Sequence, residues 1–592
     1  MSRRPVAATL SPSLWPAVAF ALVAAVGGAA ACKSEPKSAG ERDPSGSGGA
    51  AGGARSAKPP VKLVIAYGSE KKTWLEEQAR AFVESGATTG SGRPIHIDPH
   101  GMGSGEAVQA IVSGRLEPHV FSPASSAYIG LLDQAWQSRP EAAAGAGAGV
   151  ASASAPIAPP GEPVVLSPVV IAMWKPMAEA LGWPEKELGW ADLIRVARGE
   201  KGWAALGHPE WGAFKLGHTH PEFSNSGLLS ILAEAYAGAH KTRALSAADV
   251  DAPATRELVT RVEQTIVHYG KSTGFFADKM LERGPSYLSA AVLYENLVVE
   301  SYGRASEAPF PIVAIYPAEG TFWSDHPYSV LDARWVGPDE RDAAQRFLAF
   351  LKARPAQERA LALGFRPADP SIAIAAPIDA AHGVDPKQPQ TVLEIPEPAV
   401  LARLLAAWRE IKKPTAVTLV MDVSGSMKGR PLAEAKAGAR AFLSSLHDQD
   451  EVTLVFFNDK VMPPIGPLQV GKARAGLIDR VDHTIAHGGT ALYDAVAAAY
   501  DGAIGRARSA PGRIHAVVVM TDGRDESSRS TLDQLNRRFT REEDPLKVFA
   551  IAYGKSADDS VLGQIAEAAQ GTSLRGTADS IVQVYQDMAA FF

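Results

Sequence analysis

Apolar and polar positions along this chain follow two alternating rhythms. Short apolar runs rich in β-branched residues recur at Leu63–Ala66, Ile95–Ile97, Val120–Phe121, Val164–Met173, Phe310–Tyr316, Thr415–Met421, Val452–Phe457, Ala516–Met520 and Val548–Ala552. Between them lie stretches with apolar residues at helical spacing, such as those reaching Phe82 and Val112 and the one from Leu432 to Leu446. The first kind reads as buried strands and the second as amphipathic helices. Strands alternating with helices predict an α/β fold built on largely parallel sheets. Ligands of such sheets sit outside the carboxyl ends of the strands.

Several segments break the rhythm. Arg3 and Arg4 precede an apolar stretch from Ala17 to about Gly28, which leads through Ala29-Ala30-Ala31 to Cys32. That stretch is short of the roughly 20 residues a membrane-spanning helix needs. It resembles a bacterial lipoprotein signal, so residues 1–32 are expected to be a signal peptide with Cys32 lipidated. Residues 33–62 carry no hydrophobic pattern and are expected to be a disordered tether. Residues 141–162 are low in complexity and read as a flexible insertion. Residues 371–412 form a linker, in which Pro398–Ile411 has a helical pattern with a long apolar face.

Composition narrows the classes. The chain has 592 residues, 46% hydrophobic and 21% charged, with net charge −6. That is ample material for several cores. It lacks the basic excess of a nucleic-acid binder, so no nucleic-acid partner is expected. Cys32 is the single cysteine, so there is no internal disulfide and no cysteine metal cluster. No Ser-His-Asp or Cys-His constellation stands at a suitable junction, and GxxxxGK[ST] is absent. The reading is therefore a binding protein rather than an enzyme.

Residues 413–592 hold the densest chemistry. Thr415–Met421 runs into Asp422-Val423-Ser424-Gly425-Ser426; His487-Gly488-Gly489-Thr490 precedes a helix; Ala516–Met520 runs into Thr521-Asp522-Gly523. The D-x-S-x-S segment, Thr490 and Asp522 resemble the von Willebrand factor A domain and its metal-ion-dependent adhesion site. The resemblance implies a doubly wound, Rossmann-like sheet. It implies that Ser424, Ser426 and Thr490 offer hydroxyl oxygens to Mg²⁺ (or Mn²⁺ or Ca²⁺), with Asp422 and Asp522 supplying negative charge partly through water. Neutral hydroxyl ligands leave the ion positive and able to take a carboxylate from a protein partner. Asp494 and Asp525 are expected to be solvated surface acids.

Residues 63–370 are organised differently. Their carrying segments are GSEKKTW, GMGSGEA, FSPASS, HPEWGAFKLGHTHPEFSNSG and YPAEGTFWSDHPY. They resemble the bacterial extracellular solute-binding proteins of type II, periplasmic-binding-like architecture, with two α/β lobes and ligand in the cleft. The resemblance puts the first lobe at 63–163 plus 318–370 and the second at about 164–317, with crossings near Val164–Met173 and Phe310–Tyr316. It implies a pocket of Ser69, Ser104, Ser125, Ser126, Asn225, Ser226 and Tyr294, whose neutral donors suit a small molecule or oxyanion. Tyr294 is expected within a helical stretch. His218-x-His220 with Glu222 places two imidazoles on one strand face. No third ligand stands at a diagnostic spacing, so a structural role is expected there. The whole reads as a lipid-anchored protein of the bacterial cell envelope, binding a protein partner and a small ligand. The alternative is the substrate-binding component of an ABC-type transporter, delivering to a permease.

Overall fold

A computed structural model describes residues 58–139, 156–199, 201–510, 512–539, 546–554, 556–577, 580–589 and 591. The expected signal with Cys32, the tether up to residue 57 and residues 141–155 of the expected insertion lie outside the described residues. Among the described residues, no helix is long and apolar enough to cross a membrane.

The strands are β1 (Val61–Gly68), β2 (Ile95–Met102), β3 (Val120–Ser122) and β4 (Glu162–Pro163). They continue as β5 (Val165–Trp174), β6 (Leu216–Thr219), β7 (Ile266–Gly270), β8 (Ala290–Tyr294), β9 (Ile312–Ile315), β10 (Trp323–Ser324), β11 (Pro327–Val330) and β12 (Arg366–Pro367). The last group is β13 (Thr415–Asp422), β14 (Glu451–Phe457), β15 (Ile465–Gln469), β16 (Ile514–Thr521), β17 (Leu546–Tyr553) and β18 (Ser573–Gly576). Three sheets result. The first runs β2-β1-β3-β11-β4; the second runs β10-β5-β8-β6-β7, with β9 and β12 also on β5; the third runs β15-β14-β13-β16-β17-β18.

Helices cover both faces of the third sheet. Val417, Leu419 and Met421 of β13 face a core that includes Phe442 and Tyr585. Val420, together with Val517 and Val519 of β16, faces a separate core with Val496 and Ile565. A strand buried on both sides must be apolar at consecutive positions, which is why Thr415–Met421 shows no polar alternation. β13, β14, β16, β17 and β18 are parallel, and only β15 at the edge is antiparallel.

The chain passes from the first sheet to the second between Pro163 and Val165. The return lies at Ser324–Pro327, later than the expected Phe310–Tyr316. β9 is a full member of the second sheet, paired along β5 from Ile171 to Trp174. The chain then stays on β5, where the Thr321 hydroxyl donates to the Val169 carbonyl at 2.7 Å and β10 pairs with Ser167 and Pro168. Residues 318–324 therefore belong with the second lobe.

Other boundaries also differ from expectation. Residues 156–162, expected in the flexible insertion, are packed on the first lobe. Ile157 and Ala158 are buried, and their amides donate to Asp133 at 2.8 and 2.9 Å. β1 begins at the fully buried Val61, inside the expected tether. Residues 338–362 form two helices, Pro338–Lys352 and Arg354–Ala362, because Pro355 starts a new first turn. Tyr294 ends β8 and caps the following helix rather than lying inside one.

The linker helix forms as expected at Pro398–Ile411 and buries Leu401, Leu404, Ala407 and Trp408 along one stripe. Trp408 packs edge-on against His220 (4.8 Å) and Tyr269 (5.5 Å) of the second lobe. At its other end Pro398 lies against Gly130 of the first lobe. Arg409 pairs with Glu222, and Arg256 pairs with Glu410 at 2.7 Å. The helix thus touches both lobes and runs straight into β13.

Replacing Trp408 with Ala should cost about 3–5 kcal/mol, as for other buried large aromatics. Chemical denaturation of the purified protein checks this. A loss of under about 1 kcal/mol would mean that the helix is not anchored through this residue.

Candidate functional site

The carboxyl end of the third sheet gathers three polar segments, at residues 422–426, 487–490 and 521–523. β13 ends in Asp422, which is fully buried. Its carboxylate accepts from the Ser424 amide at 2.8 Å and from the Thr521 hydroxyl at the end of β16. Burial raises the pKa of Asp422, and burial likewise raises that of Asp522. Ser424 and Ser426 hydroxyls lie 3.0 Å apart, and Ser426 donates to Asp522 at 2.7 Å.

The loop at 487–490 is stitched to the same place by backbone bonds. The His487 amide donates to the Val423 carbonyl and the Gly425 amide to the Gly488 carbonyl, both at 2.9 Å. Gly488 has φ +80°, a conformation that favours glycine, and a Cβ there would collide with Asp459. Thr490 follows, nearly buried, with its hydroxyl beside the Asp522-Gly523 turn. A Cβ placed on Gly523 would stand 3.5 Å from Thr490 Oγ1 and 3.7 Å from Ser426 Oγ. Ser426, Thr490 and Asp522 line an open depression of ≈ 440 Å³, with Arg524, Glu526 and Ser556 at its rim.

The structure therefore brings Asp422, Ser424, Ser426, Thr490 and Asp522 to one spot at the surface end of the sheet. The donors are hard oxygens, three of them neutral hydroxyls, which suits a divalent cation such as Mg²⁺. Asp494 and Asp525, expected as solvated acids, instead tie the neighbouring loop. Asp494 accepts from the Arg529 and Ser530 amides at 2.9 and 3.1 Å, and Asp525 accepts from the Tyr493 amide at 3.1 Å. These ties hold the segment after Asp522 against the start of helix Leu492–Ser509.

The lobes meet along a closed, polar seam. The amides of Gly105 and Glu106 both donate to the Phe223 carbonyl at 3.0 Å. The N-terminus of helix Ser104–Val112 is thus occupied by the opposite lobe rather than free for an anion. Gly105 is required there, since a Cβ would overlap the Glu222 carbonyl. Ser104 accepts from the Ala124 amide and Ser125 from the Ala127 amide, so both serve their own lobe. Ser126 is exposed, and its amide donates to Asp325 at 2.8 Å. Ser69 accepts from the Gly274 amide of the other lobe at 3.1 Å. Asn225 donates to the Tyr294 hydroxyl at 2.8 Å, and the Ser226 hydroxyl lies 2.8 and 2.9 Å from those of Thr219 and Thr273. Asn225, Ser226 and Tyr294 form one buried group, from which the serines at 104, 125 and 126 stand apart.

Sequence reasoning does not single out the ionised core of this seam. Glu70 and Lys71 are buried neighbours, bridged at 3.0 Å, and His326 Nδ1 lies 3.2 Å from the same Glu70 oxygen. Lys71 also donates to the Ser122 and Pro123 carbonyls at 3.1 and 3.2 Å. Burial pushes the Glu70 pKa up, but the Lys71 charge and the His326 bond outweigh it and hold it at about 2. Around this pair, Ser122 Oγ, Asn225 Oδ1, Asn296 Oδ1 and His326 Nε2 are buried without a hydrogen-bond partner among the described residues. Such unpaired groups are costly, and a bound polar ligand would satisfy them. The GSEKK segment shows the charges in sequence, but nothing in sequence shows that they are buried.

A cavity of ≈ 460 Å³ opens beside the seam. Ser69, Glu70 and Met102 of the first lobe, Lys271 and Phe275 of the second, and Leu574 and Phe591 of the third sheet's domain line it. Lys271 bridges Glu106 of the other lobe (3.1 Å) and Asp587 of the last helix (2.7 Å). Arg283 donates to the Gln570 and Gly571 carbonyls.

Residues 63–366 match the family model for bacterial extracellular solute-binding protein. The chain belongs to that family. Residues 416–583 match the von Willebrand factor type A domain, so this solute-binding protein carries a second module after its lobes. An uncharacterised protein of Synechocystis sp. is 30% identical over 162 residues, covering 27% of this chain. The solute-binding protein spans about 37% of the length of that relative. Among solved structures, a von Willebrand factor type A protein from Catenulispora acidiphila is 24% identical, with TM-score 0.27, covering 30% of this chain and 42% of that one. A periplasmic thiamin binding protein is 12% identical, with TM-score 0.41, covering 60% of this chain and 96% of that one.

Glu70→Gln should destabilise the protein by about 3–5 kcal/mol, because Lys71 then stays buried without its counter-charge. The wild type should lose stability as pH falls from 4.5 towards 2, as Glu70 gains a proton, and the variant should lose less over that range. Denaturation midpoints across the acid range test both. Equal acid slopes would show that Glu70 carries no linked charge.

Proposed function

We propose that this protein is a lipid-anchored binding protein of the bacterial cell envelope, recognising a protein partner through a metal ion at the end of β13. The observation that carries the reading is the gathering of Ser426, Thr490 and Asp522 on one open depression, with Ser424 and the buried Asp422 joined to them by hydrogen bonds. In this reading Ser424, Ser426 and Thr490 hold Mg²⁺ (or Mn²⁺ or Ca²⁺), and Asp422 and Asp522 balance its charge. The ion supplies an electrophilic site for an acidic side chain of the partner. The protein acts by binding and not by catalysis. Its lobes hold a small polar ligand or oxyanion at the seam, supported by the unpaired polar atoms there.

Delivery to a permease is the less supported use. A delivering protein must open its cleft, and here the linker helix and the last segment of the chain contact both lobes.

Calorimetric titration of the purified protein with Mg²⁺ tests the metal assignment. Binding should weaken by at least about tenfold in both Asp422→Ala and Ser424→Ala. Binding that both variants retain unchanged would place the ion elsewhere and remove the basis for metal-dependent recognition.

A further inference from the structure

A second cluster of metal-ligating side chains lies inside the second lobe, away from both sites above. His218 stands on β6, Glu234 on helix Asn225–Ala239, and Glu263 at the end of helix Pro253–Glu263. All three are fully buried, and one donor atom from each lies within 4.8 Å of the other two. This is not the His218, His220 and Glu222 set visible in the sequence. His220 packs on Phe223 and Trp408, and Glu222 pairs with Arg409.

Each member is held from behind by a group that is not a ligand. His218 Nδ1 donates to the Thr219 carbonyl at 2.7 Å. Glu263 Oε2 accepts from the Tyr269 hydroxyl at 2.7 Å. Glu234 Oε1 accepts from Ser230 at 3.0 Å. The atoms left over are His218 Nε2, Glu263 Oε1 and Glu234 Oε2. The first two lie 2.9 Å apart, and the third is buried with no partner among the described residues. With its proton on Nδ1, the imidazole turns a lone pair towards the carboxylate oxygen, and two lone pairs at that distance require a positive centre between or beside them. The Lys412 and Lys413 charges both reach Glu263, and Lys413 donates to the Ile266 carbonyl at 2.9 Å. Metal-ligating histidines and carboxylates are oriented by outer partners of this kind.

We infer that His218, Glu234 and Glu263 form a buried structural site for a divalent transition-metal ion, for which zinc is the fitting probe. One neutral imidazole and two carboxylates balance a divalent charge. Zinc bonds to nitrogen and oxygen of about 2.0–2.2 Å span donors up to about 4.2 Å apart. A small side-chain adjustment brings the cluster inside that limit. The ion would pin β6 to the two helices on which the linker helix rests.

The test uses the full protein carrying Asp422→Ala, so that the surface site contributes nothing, treated with chelator and then titrated with Zn²⁺ alone. The inference expects one tightly held equivalent, an X-ray absorption edge showing nitrogen and oxygen ligands, and a metal-dependent rise in melting temperature. Adding Glu234→Gln, close in shape, should lower Zn²⁺ affinity by at least about tenfold and abolish the rise. Adding His218→Gln should remove the nitrogen signal. Absence of zinc uptake in the parent, with Glu234→Gln equally stable, would overturn the inference and show that a shared proton fills the place of the ion. Zinc uptake that neither variant alters would overturn it as well.

Discussion

In a parallel sheet every strand ends at the same edge, and the loops that leave it must satisfy backbone groups the ladder no longer serves. That constraint organises this molecule three times. The segments after β1 and β2 carry Ser69, Glu70 and Ser104, and β3 ends in Ser122. Those after β6 and β7 carry Asn225, Ser226 and Lys271, and β8 ends in the cap residue Tyr294. The two edges face each other across the seam, so each lobe satisfies groups of the other. Phe223 fills the helix end at Gly105, and Ser69 receives the Gly274 amide. Among the described residues, the third sheet's edge has no facing lobe. Its hydroxyls and carboxylates turn to one another and to the surface, which is the condition for a site that recruits something from outside.

The closed seam and the third sheet are mechanically joined. Helix Pro398–Ile411 rests on both lobes, and the final helix meets Arg115 of the first lobe and Lys271 of the second. Separating the lobes would strip Lys271 from Glu106 and expose the buried Glu70–Lys71 pair. One of the three hydrophobic cores runs continuously from the lobes through the linker into one face of the third sheet. The same contacts therefore hold the lobes to each other and to the third sheet.

Much of this was legible in sequence because strands buried on both faces cannot be polar. Thr415–Met421 and Ala516–Met520 announce themselves, and the acids that end them follow at once. The linker helix is legible for the same reason, through Leu401, Leu404 and Trp408. What depends on partners distant in sequence was not legible. β15 and β18 are edge strands whose short, mixed patterns gain meaning only from β14 and β17. The return crossing is fixed by Thr321 reaching Val169, a contact across 152 positions that no local pattern encodes. Ser104 and Ser125 look like ligand donors in sequence and turn out to hold their own loops. Glu70 and Lys71 look like surface charges and turn out to be the buried centre of the seam. His218 shows one ligand of a cluster whose other members lie on two later helices.

Metal binding at the end of β13 is tested most directly by a crystal structure of the protein grown with Mn²⁺ and recorded at the manganese absorption edge. The expected result is an anomalous peak bonded to the hydroxyl oxygens of Ser424 and Ser426, with Thr490 and Asp522 beside it. A map with no peak there at saturating Mn²⁺, and with Ser426 still donating to Asp522, would contradict it.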